Sequence, residues 1–326
     1  MPNDLRRPKG GLLTRIIARH YLRKPELADF LAIKFPTLQS RWHAARNELA
    51  FRRGSVRSHR LTAVNIELTN RCNLACVMCP VNTDMERAKR DLELETFRRI
   101  VDENPELELI LMFQWGESLL VPGFFECVGY ATQRGIRVMI TSNGTKFDEA
   151  TCHRIVDSGL ERITISVDGG AETHERIRGF PLAKLRENVE RLVRIRDERG
   201  SELGIDLNMT IWEANESEAA GVRRYWEGLV DRVQLIPRFV DAPRSTPCRE
   251  LWRGAMIVLS DGRVAPCCRD SEGELAVGHA SEASLGAIFN GAEMRALRQR
   301  HQDGDFPPLC ARCGEYDTDQ VSPRFS

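Results

Sequence analysis

Between residues 62 and 237 the sequence alternates short apolar runs of β character with longer stretches of helical period. That alternation constrains the fold more than any other feature. The strand-like runs are 63–69, 108–114, 137–142, 162–167, 204–211 and 232–237. Helical stretches separate them at 92–104, 123–134, 148–158, 183–199 and 215–229. Asp148 stands where a helix cap is needed, Gly135 and Gly159 close two helices, and Asn215 opens the last. Repeated β/α units imply a parallel sheet. The expected fold is α/β, a partial (β/α)6 TIM-like barrel. In such barrels the chemistry sits at the C-terminal ends of the strands.

The first strand runs directly into Thr69-Asn70-Arg71-Cys72-Asn73-Leu74-Ala75-Cys76-Val77-Met78-Cys79-Pro80. Cys72, Cys76 and Cys79 therefore lie on the loop where a catalytic loop belongs. Thiolates are soft ligands suited to iron–sulfur chemistry, and a [4Fe–4S] cluster normally takes four. Three leave one iron open. The plainer reading is a structural zinc knuckle, but zinc favours paired Cys-x2-Cys units, which an x3 gap fits poorly. The loop resembles the signature of radical S-adenosylmethionine (SAM) enzymes. In that family the open iron chelates SAM, and reductive cleavage gives methionine and a 5′-deoxyadenosyl radical.

Other strand ends extend the resemblance. The second strand leads into Gln114-Trp115-Gly116-Glu117, similar to the family's Gly-Gly-Glu motif for the SAM amino group, with Trp115 in place of the first Gly. The third ends in Thr141-Ser142-Asn143-Gly144. The fourth ends in Ser166-Val167-Asp168-Gly169, followed by His174 and Arg178-Gly179, similar to peptide-modifying members. The resemblance implies SAM contacts from Gly116, Glu117, Asn143, Ser166, Asp168 and Arg178. Ser166 would meet the ribose or carboxylate region, and Arg178 the carboxylate. His174 reads as a structural residue. Met78 stands where the family has an aromatic near the adenine.

After Pro237 the repeat stops, and Pro243 to Pro247 mark a linker. Cys248 follows, then a hairpin over Ala255–Leu259 and Arg263–Ala265 turning at Ser260-Asp261-Gly262. Pro266-Cys267-Cys268, a helix over Leu285–Arg300 and Cys310-Ala311-Arg312-Cys313 complete the region. Cys248, Cys267, Cys310 and Cys313 suffice for a four-thiolate cage, which would suit zinc as well as iron. The region resembles the shortened SPASM ("twitch") extension of radical SAM enzymes, which implies an auxiliary [4Fe–4S] cluster. Cys268 is then left over as a candidate hydrogen-atom donor or proton acceptor, a substitute ligand or an inert thiol. Cys127 and Cys152 fall on predicted helices as core residues.

Residues 1–60 hold fourteen Lys/Arg against four Asp/Glu, a net +10 in a chain of zero net charge. Short helices are expected over Leu12–Leu22, Pro25–Phe35 and Leu38–Phe51, with Trp42, Leu49 and Phe51 needing burial, after a disordered start at 1–10. The expected organisation is a basic helical extension (1–61), a radical SAM core (62–242) and an auxiliary-cluster region (243–326). The basic segment reads as a solvated face rather than a peripheral membrane contact, and no nucleic acid is expected. With no apolar run of eighteen residues and no signal peptide, the ten cysteines point to metal or redox roles in the cytoplasm.

These readings lead to hydrogen abstraction from a C–H bond of a small molecule, sugar or peptide, as a net oxidation assisted by the auxiliary cluster. A reducing partner such as flavodoxin or ferredoxin is implied. Epimerisation with Cys268 as donor is the alternative. A zinc protein binding nucleic acid or a partner is the alternative of another class.

Overall fold

The computed structural model describes residues 35–238 and 241–313. The expectations for residues 1–10, for the helices at 12–22 and 25–35, and for the polar tail lie outside the described residues, apart from Phe35. Helix α1 (Leu38–Arg52) leads to β1 (Ala63–Ile66), and the cysteine loop ends in the single turn α2 (Pro80–Thr83). Then α3 (Leu94–Glu103) precedes β2 (Leu109–Met112), α4 (Phe124–Thr132) precedes β3 (Arg137–Ser142), and α5 (Glu149–Asp157) precedes β4 (Arg162–Ser166). Two helices, α6 (Ala171–Arg178) and α7 (Leu182–Glu198), lie before β5 (Gly204–Ile211), and α8 (Ala219–Trp226) before β6 (Arg232–Pro237). The remainder is α9 (Glu250–Arg253), the hairpin β7 (Ile257–Val258) and β8 (Val264–Ala265), α10 (Leu285–Phe289), α11 (Ala292–Gln302) and α12 (Pro308–Ala311).

All eight strands form one open sheet in the order β6-β5-β4-β3-β2-β1-β7-β8. The first six strands are parallel neighbours, as the β/α repeat requires. Strand alternation sorts the side chains. On β5, Ile205, Leu207, Met209 and Ile211 join the main core under the helices. Asp206, Asn208 and Thr210 take the other face, toward the barrel interior. The floor of that interior is a separate small cluster of Ala63, Leu109 and Met139, with Leu111 packed on it.

The cysteine-rich region does not stand apart from this sheet. Its hairpin adds β7 to the free edge of β1 in parallel, pairing Asn65 with Ile257 and Ile66 with Val258. The strand that delivers the cysteine loop is thus flanked by barrel on one side and by the second cysteine region on the other.

Several local expectations change. Asp148 caps α5, accepting from Thr151 N at 2.8 Å. Asn215 does not cap α8. Its fully buried amide ties the end of β5 to the end of β4, donating to the carbonyls of Thr210 (2.9 Å) and Asp168 (3.3 Å). The helix expected over Leu285–Arg300 is two, α10 and α11, parted at Asn290-Gly291. Trp42 and Leu49 stay exposed, Trp42 meeting His43 and His59 edge-on, while Phe51 packs on the core edge-on to Trp252. Polar residues secure α1 instead. The buried Asn47 accepts from Ser58 Oγ and from the backbone N–H groups of His59 and Arg60.

Candidate active site and auxiliary metal centre

The cysteine loop leaves β1 through Glu67, which is buried with its partner Arg87. The two make a fork-to-fork pair, with Arg87 Nη1 and Nη2 each 3.0 Å from a carboxylate oxygen. Glu67 also accepts from Ser260 N at 3.0 Å, and Arg87 Nε donates to the Ser271 carbonyl at 2.6 Å. Both ends of the loop are therefore fastened to the second cysteine region. Asn70, fully buried, bonds Arg90 N at 2.7 Å and the Ala88 carbonyl at 3.0 Å, closing the loop's base.

Two further strand ends hold the loop from the barrel side. Gly116 has φ +96°, and a Cβ there would overlap the Thr69 carbonyl oxygen and stand 2.8 Å from that of Arg71. The β2 loop approaches the cysteine loop this closely only because residue 116 has no side chain. Glu117 N then donates to the Arg71 carbonyl at 2.9 Å. On the other side Val77 N donates to the Ile177 carbonyl of α6 at 3.0 Å.

The residues singled out in sequence gather around this loop. The Glu117 carboxylate is buried and committed inside the chain, accepting from Asn143 N (2.7 Å), Ser142 Oγ (3.0 Å) and Leu119 N (3.2 Å). Burial pushes its pKa up against those three bonds. It straps β2 to β3, beside the cysteine loop. Asn143 Nδ2 reaches Cys72 Sγ at 3.7 Å and Asn73 Oδ1 at 2.9 Å.

Asp168 is fully buried, bonded by Arg178 Nε at 2.7 Å and by Thr210 N at 3.1 Å. Burial works against the Arg178 charge, but Asp168 and the Cys76 thiol outweigh it and raise its pKa. The terminal nitrogens of Arg178 have no hydrogen-bond partner among the described residues, and Ser166 Oγ has none either. His174 is structural, as expected. Its Nδ1 accepts from Asp168 N at 3.2 Å, and burial lowers its pKa to about 3.

All ten cysteines are free thiols. Burial raises Cys76 to about 11, with Arg178 opposing and Cys79 and Cys72 adding to the rise. Burial raises Cys79 too. Such thiols give up their protons to a bound metal. In the second region burial pushes Cys267 well above its ordinary value, and charge on Cys268 and Cys248 adds to it. Burial raises Cys310 to about 12, with Cys248 and Cys313 contributing. The four thiols thus sense one another although 248 and 313 are far apart in sequence. Among the described residues no three His, Cys, Asp or Glu converge as tightly as a single metal ion requires. A multi-iron cluster spreads its ligands more widely. Three thiols in the barrel mouth and four beside it fit such clusters in donor chemistry.

Sequence reasoning missed the Glu67–Arg87 clasp and a polar row across the interior. Ser166, Asn208 and Gln234 lie in register on β4, β5 and β6. Asn208 Oδ1 is buried with no hydrogen-bond partner among the described residues. The strict alternation Ile205-Asp206-Leu207-Asn208-Met209-Thr210-Ile211 carries the signal for that row.

A parallel barrel with a three-thiolate loop on β1 and a second thiolate set at the sheet edge defines an iron–sulfur enzyme. A family model described as Radical SAM superfamily matches residues 66–207, and one described as an iron–sulfur cluster-binding domain (SPASM) matches residues 248–314. The chain belongs to the radical SAM superfamily and carries a SPASM domain. Its cofactors are a [4Fe–4S] cluster, SAM and an auxiliary iron–sulfur cluster.

Among curated relatives, PqqA peptide cyclase of Granulibacter bethesdensis is 31% identical over 215 residues, covering 59% of this chain and 56% of that protein. AdoMet-dependent heme synthase of Methanosarcina barkeri is 32% identical over 154 residues, covering 47% and 43%. The matched stretches span about half the length of these relatives. Among solved structures, BtrN in complex with AdoMet and 2-DOIA superposes with TM-score 0.57 at 17% identity, covering 80% of this chain and 95% of that one. SuiB of Streptococcus suis bound to precursor peptide SuiA gives 0.61 at 11% identity, covering 85% and 72%. Both show the shared fold. No helix among the described residues is long and apolar enough to cross a membrane.

Proposed function

We propose that this enzyme removes a hydrogen atom from a C–H bond of its substrate and completes a net two-electron oxidation. Cys72, Cys76 and Cys79 hold the catalytic cluster. Gly116, Glu117, Asn143, Ser166, Asp168 and Arg178 form the SAM site. Cys248, Cys267, Cys310 and Cys313 hold the auxiliary cluster, read as [4Fe–4S]. When bound, the cluster and SAM supply a 5′-deoxyadenosyl radical that accepts the hydrogen atom. The protein's own part is to orient and to shield. Arg178, fixed by Asp168, presents terminal N–H groups suited to a carboxylate. Asn143 holds Cys72 from the β3 side. The apolar floor of Ala63, Leu109 and Met139 keeps water from below, so that the radical meets only substrate.

The observation that carries the oxidation is the placement of the second thiolate set. Its hairpin is hydrogen-bonded to β1, and the clasp of Glu67, Arg87 and Ser260 ties it to the catalytic loop. A cluster held there would supply an acceptor for the electron left on the substrate once a proton is also lost, completing the two-electron oxidation. The substrate class is a small molecule, sugar or peptide. The name of the PqqA relative and the SuiA peptide bound to SuiB support the peptide. A reducing partner such as flavodoxin or ferredoxin would supply the priming electron.

The test is anaerobic reconstitution followed by SAM and dithionite. The wild type is expected to form 5′-deoxyadenosine, and Cys310→Ala to retain that cleavage but release no oxidised product from any substrate that the wild type turns over. Oxidised product from a Cys310→Ala enzyme lacking the second cluster would remove the acceptor role.

One observation favours epimerisation as a second reading. Gln114 Nε2, at the end of β2, donates to the Cys268 carbonyl at 3.0 Å, which holds Cys268 against the barrel mouth. The Cys268 side chain packs on Ile257, Leu259 and Ala265 of the hairpin, and in this reading it would turn from them to return a hydrogen atom. Solvent deuterium incorporated into product by the wild type and lost in Cys268→Ala supports it. Equal turnover of both ends it.

A further inference from the structure

We propose that Arg244 sets the reduction potential of the auxiliary cluster, holding a positive charge against it so that it accepts an electron more readily. The inference rests on the reading that Cys248, Cys267, Cys310 and Cys313 hold an iron–sulfur cluster acting as acceptor. The segment bearing Arg244 runs antiparallel along the last cysteine pair. Asp241 bridges to Cys313, Ala242 N donates to the Arg312 carbonyl at 3.0 Å, and Arg244 N donates to the Ala311 carbonyl at 2.9 Å. Four residues later the same segment delivers Cys248. The guanidinium is pinned by Nη1 donating to the Thr246 carbonyl at 3.2 Å, and it hydrogen-bonds the Cys313 side chain.

Among the described residues Arg244 has no carboxylate partner, and its Nε is buried without a hydrogen-bond partner. The contrast with the catalytic loop is direct, because there Asp168 stands 2.7 Å from Arg178. Neighbouring carboxylates are engaged elsewhere, Asp241 with Arg269 at 2.5 Å. Glu250 pairs with Arg253 at 3.2 Å, and Asp270 accepts from Glu274 N and Leu275 N at 2.8 and 2.9 Å. Reduction adds a negative charge to an iron–sulfur cluster. A nearby cation and an N–H donated to a ligating sulfur both favour the reduced form. A guanidinium keeps its charge throughout the working pH range.

The test is a redox titration followed by electron paramagnetic resonance on the full chain, reconstituted anaerobically. Cys72, Cys76 and Cys79 are replaced by Ala so that only the second cluster reports. Arg244→Gln is expected to lower the reduced-to-oxidised ratio at fixed potential about tenfold, a 59 mV negative shift for one electron. Arg244→Lys is expected to recover most of the shift. Should Arg244→Gln not retain the cluster, Thr246→Asp brings a carboxylate to the same guanidinium at an exposed position. It is expected to shift the potential the same way by less. An unchanged potential in a cluster-bearing Arg244→Gln, or in Thr246→Asp where the first is empty, overturns the proposal. Absence of any cluster in the triple-alanine background overturns the four-thiolate reading, and the proposal with it.

Discussion

The two thiolate regions solve the same chemical problem in opposite ways. The catalytic set comes from one loop of eight residues, Cys72 to Cys79, on the end of a single strand. It takes its rigidity from neighbours, namely Gly116 and Glu117 from β2, Asn143 from β3 and Ile177 from α6. The auxiliary set is gathered from separate segments between 248 and 313, and burial pushes Cys267 well above its ordinary value and Cys310 to about 12. Charge differs too. Arg178 beside the first set is neutralised by Asp168, whereas Arg244 beside the second has no carboxylate partner among the described residues. The difference teaches that one set owes its rigidity to the barrel strands around it, and the other to a chain segment that folds back on itself.

The largest test of this contrast is to empty one site at a time. Cys76→Ala is expected to abolish 5′-deoxyadenosine formation while keeping about half the iron, whereas Cys310→Ala should lose the other half and keep SAM cleavage. Iron analysis with product chromatography separates the two. Equal loss of cleavage in both would mean that the regions are not functionally distinct.

The clasp between the regions comes next. Arg87→Ala leaves Glu67 charged and buried without its partner, at a cost of about 3–5 kcal/mol in denaturant unfolding. A change near zero would show that the pair does not join the regions. Gly116→Ala is smaller, about 1–3 kcal/mol, because a side chain at φ +96° is strained and meets the Thr69 carbonyl. The strain falls on the catalytic loop alone, so iron loss confined to the first site is expected.

Acid stability tests the barrel side of the contrast. His174 is held neutral in the folded state, its pKa lowered from 6.5 to about 3. The unfolded chain binds that proton first, so its contribution is intact above pH 6.5 and is lost as pH falls from 6.5 toward 3. His174→Asn should flatten that part of the pH–stability curve, and an unchanged slope would contradict it.

The legibility of the two regions in the sequence follows their construction. The parallel sheet and the catalytic cysteines are local patterns. Strand periodicity places β1 to β6 within a few residues, and a Cys-x3-Cys-x2-Cys loop after a strand is contiguous. The pairing of β7 with β1 joins residues about two hundred apart, and a two-residue strand carries too little pattern to announce it. Glu67 and Arg87 look like ordinary surface charges until the fold buries both. Nothing in the sequence reveals that Glu117 accepts from Asn143 N and Ser142 Oγ, because those bonds join separate strand ends. Helix α6 is masked by the polar motif within it, since Ser166 to Arg178 draws the eye to chemistry and away from period.

The most direct measurement is iron and sulfide per chain after anaerobic reconstitution, with 5′-deoxyadenosine assayed after SAM and dithionite. About eight irons with 5′-deoxyadenosine formed is the predicted result, corresponding to two [4Fe–4S] clusters and radical chemistry. Zinc in place of iron, with SAM left intact, would contradict it.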